Sequence, residues 1–237
     1  MAKCLKVALA DESADERRHA VHRIAASRYL TREVVVDGLS VIARTDASPS
    51  VRCAAVAALG RSEHAGAAAV LVRVLHQPST PRMTVTGSGL DVRWDALRAI
   101  LALLERSLFP ADQLTALREP AAELLSRDRS REVRQTAARV LGYLPDRGVL
   151  EPLIDGLEQR DFGVAYESER SLMRLTGHTF DYDPIRWGEW LADTENPFAD
   201  AGRLDGALNP SPESWWRRSW RRTQQGLATF RPKSGDS

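Results

Sequence analysis

The 237-residue chain carries 33 Lys and Arg against 32 Asp and Glu, with 43% apolar and 27% charged residues. This is the composition of an ordinary soluble fold, long enough for one core or one elongated array. The near-balance of charge excludes a global field that draws the chain to nucleic acid or membrane, so any such role must come from a local patch.

The N-terminus, MAKCLKVALADESADERR, has an apolar stretch that charge ends after about five residues, too short for a signal-peptide core. No run approaches a membrane span, and a cytoplasmic protein is expected. Cys4 and Cys53 fit no CxxC spacing and read as reduced thiols, Cys53 among alanines where a small apolar residue is wanted.

Residues 50–60, SVRCAAVAALG, recur as DVRWDALRAIL at 91–101 and as EVRQTAARVLG at 132–142. Val51, Val92 and Val133 are each 41 residues apart, Arg52, Arg93 and Arg134 follow them, and Leu59, Ile100 and Leu141 match. Weaker copies are ERRHAVHRIAA (16–26), with Ala20 on Ala55 and Ile24 on Leu59, and VAYESERSLMRL (164–175), with Val164 on Val133 and Leu172 on Leu141. Unit starts near 16, 51, 92, 133 and 164 mark stacked supersecondary units that share a core.

Each unit holds two helical patterns. First helices are predicted at 3–10, 31–45, 64–77, 111–127 and 146–159, each ahead of a recurring phrase. In the second helix apolar residues return at three- and four-residue steps, as in Val51, Ala55 and Leu59, and alanines allow close approach. Asp46-Ala-Ser-Pro49 and Asp128-Arg-Ser130 supply cap-type residues before that helix, with Pro49 suited to its first turn. Gly60 and Gly142 are expected to end it. EVVVDGL resembles a strand most closely, and its helical surroundings outweigh it. The fold class is all-α, an α-solenoid.

The pattern carried by Asp46…Val51-Arg52…Ala55…Leu59-Gly60 and Asp128…Val133-Arg134…Ala137…Leu141-Gly142 resembles HEAT repeats, more narrowly the bacterial type also found in phycobilisome-lyase relatives. The resemblance covers roughly residues 3–177. It implies about five antiparallel helix pairs in a right-handed superhelix, with second helices on the concave face. It implies no activity, because such arrays mostly serve as binding surfaces. It also implies a structural ladder for Arg52, Arg93 and Arg134, bonded to turn aspartates or carbonyls of an adjacent unit. Other second-helix positions mix signs (Glu16, Arg18, Asp95, Arg98, Glu132, Arg139), where a phosphate-tracking groove would be uniformly positive.

Between His76 and Asp91 the segment HQPSTPRMTVTGSGLD breaks the array with two prolines and two glycines, an inserted loop between the halves of one unit. Trp94 begins the next helix and is expected to pack.

After Leu175 the repeat stops. LTGHTFDYDPIRWGEWLA resembles a closing segment of some bacterial HEAT-repeat proteins, and Trp187, Trp190 and Leu191 on one face can seal the last unit. The expected organisation is a solenoid at 1–177, a cap at 178–196, and an acidic linker with a Trp/Arg tail at 197–237. Residues 179–206 carry seven acids against two arginines, whereas residues 213–237 carry six bases against two acids. Five of the six tryptophans lie after residue 186.

SPESWWRRSWRRTQQGL, read as a helix, puts Trp215, Trp216 and Trp220 on a face of about 140° with Arg217, Arg218, Arg221 and Arg222 around the remainder. These seven residues are the predicted partner contacts, since buried tryptophans are common interface anchors. Self-association through the tail is one form of this. Contact with an anionic membrane or with nucleic acid is the alternative from another class.

No nucleophile–base–acid set or phosphate cradle is visible, and His178, Asp181, Asp183, His19 and His22 match no metal spacing. The expectation is a non-enzymatic protein-interaction scaffold without a cofactor or metal.

Overall fold

The structure is a computed structural model that describes residues 1–76 and 92–204. The inserted loop and the Trp/Arg tail therefore lie outside the described residues.

Eleven α-helices and no strand occur among the described residues. They run α1 (Ala2–Ala10), α2 (Ala14–Ala25), α3 (Glu33–Thr45), α4 (Pro49–Leu59), α5 (Ala65–Leu75), α6 (Val92–Glu105), α7 (Thr115–Arg127), α8 (Arg131–Leu141), α9 (Leu150–Leu157), α10 (Phe162–Thr176) and α11 (Pro184–Asp193). Short 3-10 turns at Ala111–Gln113 and Arg147–Val149 lead into α7 and α9.

Consecutive helices pair, α1 with α2 through α9 with α10. The second helices then stack in order α2, α4, α6, α8, α10, and the first helices as α1, α3, α5, α7, α9. The chain is an all-helical repeat solenoid of two layers. Its core is one continuous seam, because Val51, Ala55, Leu59, Val133, Ala137 and Leu141 all point inward and are fully buried.

Local chemistry sets the helix starts. Pro49 stands in the first turn of α4, and the Ser130 hydroxyl caps α8 by accepting from Val133 N–H. Asp46 and Asp128 act one step earlier, each accepting a turn N–H, from Ser48 and Ser130, at 2.8 Å. EVVVDGL lies within α3.

Gly60 and Gly142 do end their helices, but not by a left-handed turn, since their φ values are −65° and −64°. What they supply is space: a Cβ on Gly60 would lie 2.6 Å from Ala99 Cβ, and one on Gly142 2.7 Å from Ser171 Cβ. The next second helix crosses directly over each glycine. Positive φ closes α10 at Gly177 (71°) and α6 at Ser107 (55°), where Leu108 N–H returns to the Leu103 carbonyl at 2.8 Å.

α11 packs on α9, in the row of first helices. Trp187 is fully buried, Leu191 is buried and Trp190 is half-buried. Glu169 of α10, only 2% exposed, ties this segment down. It accepts from the Thr179 hydroxyl at 2.7 Å and the Trp187 indole N–H at 2.8 Å. Arg147 donates to the Leu191 and Thr194 carbonyls at the far end of α11.

Candidate functional site

The repeated arginines bond turn aspartates, but the ladder to an adjacent unit that the resemblance implies is seen in the contact of Arg93, whereas Arg52 and Arg134 bond within their own unit. Arg52 and Arg134 donate to the carbonyl of the turn aspartate of their own helix pair, Asp46 at 2.6 Å and Asp128 at 2.8 Å. Arg93 reaches into the next pair and meets the fully buried Asp128 carboxylate at 2.7 Å. A further rung, one the sequence pattern did not single out, is Arg17, which binds both oxygens of Asp46 at 2.8 Å. Arg17 stands 35 residues before Arg52, as Ala20 stands before Ala55, so the register itself carried the signal. Burial opposes ionisation of Asp46, and the bonds from Arg17 and Ser48 outweigh it, holding the carboxyl below its ordinary range. Committed to this stitching, these arginines leave the exposed chemistry to other positions.

Those positions lie on α6, α8 and α10. Arg98 covers the Trp94 ring at 4.9 Å, Arg170 covers Tyr166 at 5.6 Å, and Arg174 of α10 covers Tyr143, just past α8, at 4.3 Å. The Trp94 indole N–H bonds Thr136 of α8 at 3.2 Å, so Trp94 bridges two second helices and remains half-exposed. α4 differs, showing Ala57 as its one exposed residue. The second-helix layer is thus smooth and alanine-rich near α4 and studded with arginine–aromatic stacks from α6 to α10.

Between α8 and α10 the layer opens into a cleft of about 110 Å³ lined by Glu105, Arg139, Tyr143, Glu167, Arg170 and Arg174, with Ser171 at its floor. That is well below the roughly 300–1,000 Å³ of a small-molecule site. Arg139 contacts Glu105 at 3.3 Å and Glu167 at 3.9 Å, and Arg170 also stands 3.9 Å from Glu167. Burial pushes the Glu167 carboxyl up, with Arg139, Arg170 and Arg174 pulling against it.

The residues weighed as metal ligands are dispersed. His19 and His22 are exposed on α2, Asp183 caps α11, Asp181 lies in the preceding turn, and His178 packs on Trp190 and meets Asp200 at 3.2 Å. Among the described residues no three His, Cys, Asp or Glu side chains are grouped as a metal site requires. No helix among them is long and apolar enough to cross a membrane. Trp215, Trp216, Trp220, Arg217, Arg218, Arg221 and Arg222 lie outside the described residues.

Residues 1–87 match the family model for HEAT repeats. No curated protein matches the chain. Similar solved structures include an engineered protein from a structural-genomics consortium (20% identity, TM-score 0.53, covering 92% of this chain and 93% of that one). A designed armadillo repeat protein shares 17% identity at TM-score 0.53, covering 92% and 96%. Computationally designed armadillo repeat proteins for modular peptide recognition share 15% identity at TM-score 0.54, covering 97% and 99%. Fold, repeat register and these likenesses agree: the chain is an α-solenoid of the armadillo/HEAT type, with HEAT repeats recognised in residues 1–87.

Proposed function

We propose that the protein is a non-catalytic scaffold that holds a protein partner along its second-helix layer, with the Trp/Arg segment near residues 211–227 as a second contact. One observation carries this reading: the stacks Trp94–Arg98, Tyr166–Arg170 and Tyr143–Arg174 share one layer. Tryptophan, tyrosine and arginine are the side chains most enriched at binding hot spots, and ring stacking holds their guanidiniums in place before a partner arrives. The designed armadillo repeat neighbours are made for modular peptide recognition, which favours an extended segment as the bound form here.

The tail reading rests on sequence chemistry, six bases and three tryptophans in residues 213–237. Its rival, contact with an anionic membrane or nucleic acid, draws on the same charge and predicts binding that weakens steeply with salt. Affinity capture from lysate with full-length protein and a variant lacking residues 207–237, read by mass spectrometry, tests the pair. The scaffold reading expects a partner or self-association that depends on the tail while helicity and melting stay intact. Salt-sensitive binding of the full-length protein alone to anionic vesicles or DNA would replace it with the rival.

A further inference from the structure

We infer that the cleft between α8 and α10 is a subsite for an acidic side chain, the carboxylate of an Asp or Glu on an extended segment of the partner, received by Arg139, Arg170 and Arg174. The inference rests on the scaffold reading and names what one part of that surface recognises.

The donors are in excess of the acceptors. Each guanidinium carries five N–H groups, and among the described residues the three arginines make one hydrogen bond, from Arg139 to Glu105 at 3.3 Å. Glu167 sits 3.9 Å from both Arg139 and Arg170. That distance gives attraction without a hydrogen bond. An internal ion-pair network built for stability would close those gaps, as Arg17 and Asp46 do at 2.8 Å.

The arginines are also held ready. Arg174 lies on Tyr143 and Arg170 on Tyr166, so little side-chain freedom remains to be lost when an anion arrives. Charge and size then select the ligand. Three guanidiniums against Glu105 and Glu167 leave one positive charge, which a monoanionic carboxylate balances and a phosphate dianion would overshoot. A cleft of about 110 Å³ admits the end of a side chain and little more.

The test uses the full-length protein and fluorescein-labelled twelve-residue Gly/Ser peptides bearing three Glu, three Gln or three phosphoserine residues at alternate positions, read by fluorescence anisotropy at low salt. The Glu peptide is expected to bind about five-fold more tightly than the Gln peptide, the worth of one half-exposed charge pair. It should also bind more tightly than the phosphoserine peptide. Arg174→Ala and, separately, Arg170→Gln should remove the Glu preference, with thermal melts confirming that each variant folds. Glu167→Gln should strengthen binding of the Glu peptide several-fold by freeing the guanidiniums. Equal binding of Glu and Gln peptides, tighter phosphoserine binding, or a Glu167→Gln variant that binds the Glu peptide no better would each overturn the assignment. Partner capture that is lost in Trp94→Ala, a residue of α6 outside the cleft, reads the scaffold separately. Capture retained in wild type alongside a failed peptide test would sink the subsite alone.

Discussion

At Gly60 a single hydrogen in place of a side chain decides how closely α4 and α6 can stack. A Cβ there would lie 2.6 Å from Ala99 Cβ and 2.9 Å from Ala99 Cα, and the latter is backbone that cannot swing aside. Gly60→Ala is therefore expected to cost about 1–3 kcal/mol, as overpacking does. A chain of this size then melts roughly 2–4 °C lower per kcal/mol. Gly188 is the control, because it is also helical and a Cβ added there would meet nothing within 4 Å. Gly188→Ala should stabilise by roughly 0.4–1 kcal/mol through the unfolded chain. Thermal melts of the two variants check both signs, and a neutral Gly60→Ala would mean that α6 can retreat.

At the scale of elements, helix pairing follows from periodicity, whereas the bonds between pairs depend on which faces meet. Trp94–Arg98 and Tyr166–Arg170 are four residues apart on one helix and so could be read from sequence. Arg174–Tyr143 and Arg17–Asp46 join residues 31 and 29 positions apart, and nothing local announces them. Glu169 is a similar case. In YESERS it looks like any solvated glutamate, yet it is buried and bonded to Thr179 and Trp187 of the closing segment. Helical spacing places the tryptophan but not the acid that anchors it, because burial at this end depends on a segment outside the repeat.

That glutamate gives a pH prediction. Burial raises the Glu169 pKa, with the bonds from Thr179, Trp187 and two backbone N–H groups pulling the other way. A raised folded-state pKa means the native state keeps its proton to higher pH than the unfolded chain. The stability it contributes is present below the ordinary glutamate pKa and is lost as pH rises through the raised value. Wild type should therefore lose more melting temperature between about pH 5 and pH 8 than Glu169→Gln, which does not titrate. Parallel curves for the two proteins would refute the assignment. Asp46 acts in the opposite sense: its lowered pKa contributes stability above the ordinary aspartate range that is lost as pH falls through the lowered value.

For the whole molecule, the 41-residue spacing of Val51, Val92 and Val133 makes the array legible from sequence alone, since a sticky helix face that recurs must be covered by its neighbour. The expectation of a helix at EVVVDGL rests on that array and not on its own residues, and α3 agrees. The candidate surface is less legible. Its composition is visible as mixed charge, while the division between a smooth α4 and a stacked α6–α10 stretch emerges only once the helices stand side by side. The proposed scaffold holds its partners on the second-helix layer. A photo-crosslinking amino acid placed at Arg98 of α6, and separately at exposed Glu123 of α7 in the first-helix layer, tests it most directly in full-length protein exposed to lysate. A discrete adduct from position 98 with none from position 123 is the predicted result; adducts from 123 alone would contradict it.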